Sequence, residues 1–99
     1  VESLQEYQQI PEEYSIGSPY PNPFNPSVSV NLSMPENSLI NIYIYDIRGR
    51  IIDELYSNTL LDAGYHTITW NAHNFSTGIY FMVIDNGNTI KTKKITLLK

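Results

Sequence analysis

Two arms rich in Val, Ile, Phe and Tyr flank an Asn86-Gly87 pair within the stretch Gly78 to Lys99, and no other pattern constrains the fold as strongly. Asn and Gly tolerate the positive φ angles of a two-residue hairpin turn, so the stretch is expected to be a strand, a tight turn and an antiparallel strand. The second arm holds Lys91, Lys93, Lys94 and Lys99, four of the six basic residues, and no acid follows Asp85. Lysines blunt an exposed sheet edge against pairing with other chains. The sharper alternative is that this basic, apolar strand is displayed for a receptor, with Lys93, Lys94, Ile95, Leu97 and Lys99 as the residues that are read.

Upstream, period-2 alternation recurs between turn signals. Val28, Val30 and Leu32 alternate with Ser27, Ser29 and Asn31, and Met34 extends their face up to Pro35. Ile40, Ile42 and Ile44 alternate with Asn41, Tyr43 and Tyr45, which puts the isoleucines inside. Asp46-Ile47-Arg48-Gly49 turns the chain, with Asp46 as the side-chain cap and Gly49 in the left-handed conformation. Arg50 to Tyr56 returns as a strand, Ser57 to Gly64 is a loop, and Tyr65 to Trp70 places His66, Ile68 and Trp70 on one face. Prolines 21, 23 and 26 make Tyr20 to Pro26 an extended, stiff latch suited to a sheet edge and anchored by Tyr20 and Phe24. Six strands result, with the latch as a seventh, and no segment between them has a helical period. The expected fold is all-β, an antiparallel immunoglobulin-like sandwich of about seven strands.

At 99 residues there is room for one such domain, and eight tyrosines with abundant Val, Ile and Thr fit its strands. Residues 1–19 lack a clean period and read as a linker or the tail of a preceding module, with residues 20–99 as the domain. Leu4, Tyr7 and Ile10 could instead line a short helix that Pro11 would stop. Val1 is neither an initiating methionine nor the start of a signal peptide, so a segment of a longer protein is expected. No apolar run approaches the ~20 residues of a membrane span, and membrane insertion is not expected.

The composition bears on chemistry mainly by exclusion. Without cysteine there is no disulfide, thiol nucleophile or thiolate metal site. Net charge is −4, with Glu2, Glu6, Glu12 and Glu13 at one end and the lysines at the other. A short basic tail is not the broad basic face that nucleic acid requires. His66 and His73 with Asp62 match no ligand spacing, and no nucleophile elbow or phosphate loop is present. Asp53 and Glu54 are adjacent and so point to opposite faces of a strand, which makes a poor carboxylate pair; both are expected to be solvated. Neither catalysis nor a metal or other cofactor is expected. Tyr43 and Tyr45, if exposed, would offer a sugar-stacking platform, the rival function of an accessory carbohydrate-binding or structural module.

The order of several short motifs is similar to that of the type IX secretion system C-terminal sorting domain, the type A secretion tail. These are Asn22-Pro23-Phe24-Asn25-Pro26, then Ile44-Tyr45-Asp46 with Gly49-Arg50, Ala63-Gly64 with His66 and Trp70, Ser76-Thr77-Gly78-Ile79-Tyr80-Phe81, and Lys93-Lys94-Ile95. The resemblance spans Tyr20 to Lys99. It implies a non-catalytic, monomeric immunoglobulin-like signal domain that directs an N-terminal cargo through the periplasm and across the outer membrane. It further implies reading by the outer-membrane secretion machinery, attachment at the cell surface, and removal by a sortase-like surface protease within the preceding linker.

Overall fold

The computed structural model describes residues 10–99, and the alternation of the sequence reappears there as burial. Seven strands form: β1 (Ser15–Ile16), β2 (Ser27–Met34), β3 (Ser38–Tyr45), β4 (Ile51–Leu61), β5 (Gly64–Asn71), β6 (Gly78–Asp85) and β7 (Ile90–Leu97). They make two sheets, of order β1-β2-β5 and β4-β3-β6-β7, with every strand pairing antiparallel. The fold is the all-β immunoglobulin-like sandwich that the sequence implies.

The two inner faces meet in one core. Val28, Val30, Leu32 and Met34 of β2 join Ile68 and Trp70 of β5 against Ile40, Ile42 and Ile44 of β3, Met82 and Ile84 of β6, and Ile95 and Leu97 of β7. All are at most 2% exposed. Burying an aliphatic side chain contributes roughly 1.5–3 kcal/mol, which makes this interdigitated layer the main source of stability. One hydrogen bond also crosses it: Trp70 Nε1 on β5 donates to Asp53 Oδ2 on β4 at 2.9 Å. Asp53 is therefore not the solvated carboxylate expected, because it satisfies the indole N–H of the largest core side chain.

Four further expectations are corrected. The proline latch is not the seventh strand; it makes two single-residue bridges, Tyr20 to Ser29 and Phe24 to Leu97, with bends at residues 21–23 and 25–26. The seventh strand is β1, inside the expected linker. Ser15 and Ile16 pair with Ser33 and Leu32, and Tyr14 and Ile16 pack on the core. Residues 1–9, including Leu4 and Tyr7 of the short-helix alternative, lie outside the described residues. The expected loop from Ser57 shrinks to Asp62-Ala63, because β4 continues to Leu61 through register shifts. Asn58 takes φ 47° there, and its N–H donates to Asn41 Oδ1 at 2.8 Å, so the polar run is absorbed by bulges rather than by a loop. Finally, the terminal hairpin is closed by four residues, Asn86 to Thr89. Only Gly87 adopts a positive φ, 91°; Asn86 Oδ1 accepts from the Asn88 and Thr89 amides. Asn86 acts through its side chain and not through a left-handed backbone.

The Asp46 turn forms as expected. Asp46 Oδ1 accepts from the Arg48 and Arg50 amides at 2.9 and 3.0 Å, Oδ2 pairs with Arg50 Nε at 2.9 Å, and Gly49 sits at φ 80°. The Arg50 amide first, and then the Arg50 side chain and the Arg48 amide, hold the carboxyl below its ordinary pKa. A depressed folded-state pKa contributes stability that is complete above the unfolded value and lost as pH falls through the folded one. The difference in Tm between the wild type and Asp46→Asn is expected to be widest above the unfolded carboxylate pKa of about 3.9 and to shrink as pH falls below it. A difference that stayed constant as pH fell would contradict the role of the charge.

Candidate functional site

The C-terminal strand β7 sits at one edge of its sheet and pairs on one side only with β6, Tyr80 lying opposite Ile95 and Gly78 opposite Leu97. Its alternation divides the residues expected to be read. Ile95 and Leu97 are 0% exposed and belong to the core, so in the folded domain their side chains position the strand. Lys94 is exposed on the outer face beside Phe81, and Lys93 is half-buried. Lys99 is tethered, its amide donating to Thr77 Oγ1 at 3.0 Å and its Nζ to the His73 carbonyl at 2.8 Å.

The proline latch covers the other side of β7 over part of its length. Phe24 N–H donates to the Thr96 carbonyl at 2.9 Å, and Leu98 N–H donates to the Phe24 carbonyl at 3.0 Å, a short parallel pairing. Asn22 bridges one step earlier, its Nδ2 donating to the Lys94 carbonyl at 3.1 Å and its Oδ1 accepting from Thr96 N–H at 3.0 Å. Proline has no N–H to leave unpaired, so Pro21 and Pro23 can flank these bonds on an edge without orphaning a donor. Pro26 contributes its carbonyl, which accepts from Ala72 N–H at 2.8 Å, while Asn25 is exposed.

Beneath the latch lies an aromatic cluster built from three separated motifs and Phe75. Phe24 and Trp70 have ring centroids 5.8 Å apart, Trp70 and Phe75 5.4 Å, and Trp70 and Tyr80 5.4 Å. Offset and edge-on pairs at such distances stabilise by about 0.5–1.5 kcal/mol beyond their buried area. Tyr80 is 8% exposed, and its hydroxyl donates to the Ser76 carbonyl at 2.6 Å. Gly64 takes φ 136° at the start of β5, whereas the space and backbone at Gly78 demand no glycine. The motif residues Asn22, Phe24, Trp70 and Tyr80 thus form one scaffold that fixes the last strand. Phe75 joins it although only its isolation in a polar run marks it in the sequence, and no local signal pairs Asp53 with Trp70.

The remaining candidates lie elsewhere. His66 Nε2 contacts the Asp62 carbonyl at 2.7 Å, and His73 is exposed. Among the described residues, no group of three or more His, Cys, Asp or Glu is placed to hold a metal ion. Tyr43 and Tyr45 stand on the outer face of β3 opposite Val83 and Phe81, both half-buried, with the Tyr43 hydroxyl donating to Asn41 Oδ1 at 3.2 Å.

Residues 18–98 match the family model described as the secretion system C-terminal sorting domain. The search of curated proteins finds no match.

Proposed function

The chain belongs to the type IX secretion system C-terminal sorting domain family, and from that membership we propose that residues 20–99 carry an N-terminally fused cargo through the periplasm and across the outer membrane to the cell surface. Members of this family are non-catalytic sorting signals of secreted or outer-surface proteins and interact with the type IX machinery. In our reading the domain acts as a monomer. The stretch ahead of β1 (Ser15–Ile16) serves as the linker within which a sortase-like surface protease separates domain from cargo.

The observation that carries this reading is the C-terminal strand itself, an edge strand whose Lys94 is exposed while Ile95 and Leu97 lock it into the core. A receptor can read such a strand only if its position is reproducible, and the latch and aromatic cluster supply that. Lys93 and Lys94 provide charge selectivity, with Lys99 beyond them.

The test is a cargo-reporter fusion carrying Lys93→Gln and Lys94→Gln, which keeps side-chain length and removes charge. Loss of two charge contacts with the receptor, on the order of 1.4 kcal/mol, is expected to lower surface delivery about tenfold with no matching fall in Tm. A folded double variant delivered at the wild-type level would remove the two lysines from the recognised set.

A further inference from the structure

The latch leaves part of the last strand's outer edge open. Since Phe24 and Asn22 bond to Lys94, Thr96 and Leu98, the even-numbered residues of β7 turn their backbone groups away from β6. The same alternation puts the Thr92 N–H and carbonyl, and the Lys94 N–H, on that outer edge, upstream of the first latch contact at the Lys94 carbonyl. Ile90, Lys91, Thr92 and Lys94 are all exposed, Ile90 at 66%. Three lysines border this stretch, and the only ion pair among the described residues is that of Arg50 with Asp46, far along the chain.

An edge with unpaired N–H and C=O groups is a template for a further strand. Lysines on both of its faces favour an added segment that carries Asp or Glu and disfavour a second copy of this lysine-rich strand. We propose that Ile90 to Lys94 is a strand-addition site for an extended, acid-bearing segment of the translocation receptor, the chain's own Asn22 to Phe24 already occupying the edge from Lys94 to Leu98. This inference rests on the sorting-signal reading and narrows it: the receptor pairs with backbone groups around Thr92, and the lysines select the charge of what pairs.

The discriminating variant is Thr92→Pro, made in the full chain fused to a reporter. It removes one outward N–H, keeps every lysine, and sits on the open side of an edge strand, where proline is tolerated. Surface delivery is expected to fall about tenfold while Tm stays within a few degrees of wild type. Delivery of the folded variant at the wild-type level would overturn strand addition. The variant with Lys93→Gln and Lys94→Gln runs beside it. If that one fails while Thr92→Pro is delivered, strand addition is wrong and the charge reading stands; if both are delivered normally, the reading of the last strand as the recognised element falls with it. Should Thr92→Pro lose its fold, hydrogen exchange on the unaltered chain decides the matter. With detergent-solubilised outer membranes of a type IX host added, the Thr92 and Lys94 amides are expected to exchange at least about tenfold more slowly. Unchanged rates at both amides would overturn the proposal.

Discussion

Replacing Trp70 with alanine is expected to cost about 3–5 kcal/mol of unfolding free energy, a large share of the ~5–15 kcal/mol that holds a typical domain folded. Trp70 is 1% exposed and contacts Phe24, Phe75 and Tyr80, so truncation opens a cavity at the meeting point of both sheets and the latch. The indole also carries the bond to Asp53. Trp70→Phe keeps most of the packing and leaves the carboxylate without its donor, so a smaller loss of roughly 1–3 kcal/mol is expected. Urea titration of both variants measures the two parts. A loss below about 1 kcal/mol for Trp70→Ala would show that the two sheets do not depend on this side chain.

Phe24→Ala is expected to have an effect of similar size, about 3–5 kcal/mol, although Phe24 lies in no strand. Its ring is 2% exposed, while its backbone holds Thr96 and Leu98. The consequence is therefore local as well as global: hydrogen exchange at the Leu98 and Thr96 amides should accelerate more than exchange at Ile42 in the centre of β3. Asn22→Ala, which removes two exposed hydrogen bonds and no buried area, should lose only ~1–3 kcal/mol. Equal losses for the two variants would mean that the latch is held by its polar contacts and not by the buried ring.

The contrast between these two sites shows what can be read from the chain alone. Ile40, Ile42, Ile44, Ile68 and Trp70 lie in the core where alternation puts them, because a side chain's face on a strand follows from its position in the chain. The Asp46 turn is equally local, its cap and Gly49 being neighbours. The Trp70–Asp53 bond joins two sheets, and nothing near Asp53 marks it as a partner. The destination of the latch is hidden for the same reason: three prolines announce an edge but not which edge. β1 is invisible because two paired residues make no period, and its pairing depends on Leu32 already being in place. Lysine spacing points to the last strand, but only the sheet order reveals that its edge is covered from Lys94 onward and open before it.

The most direct test of the account is transfer of the signal. A passenger that has a signal for the inner membrane and remains in the periplasm is fused to the chain and expressed in a host with a working type IX system. The fused passenger is predicted to appear at the cell surface or in the medium, with the unfused passenger staying in the periplasm. A fusion in which the domain folds and the passenger still accumulates wholly in the periplasm would contradict its being a sorting signal.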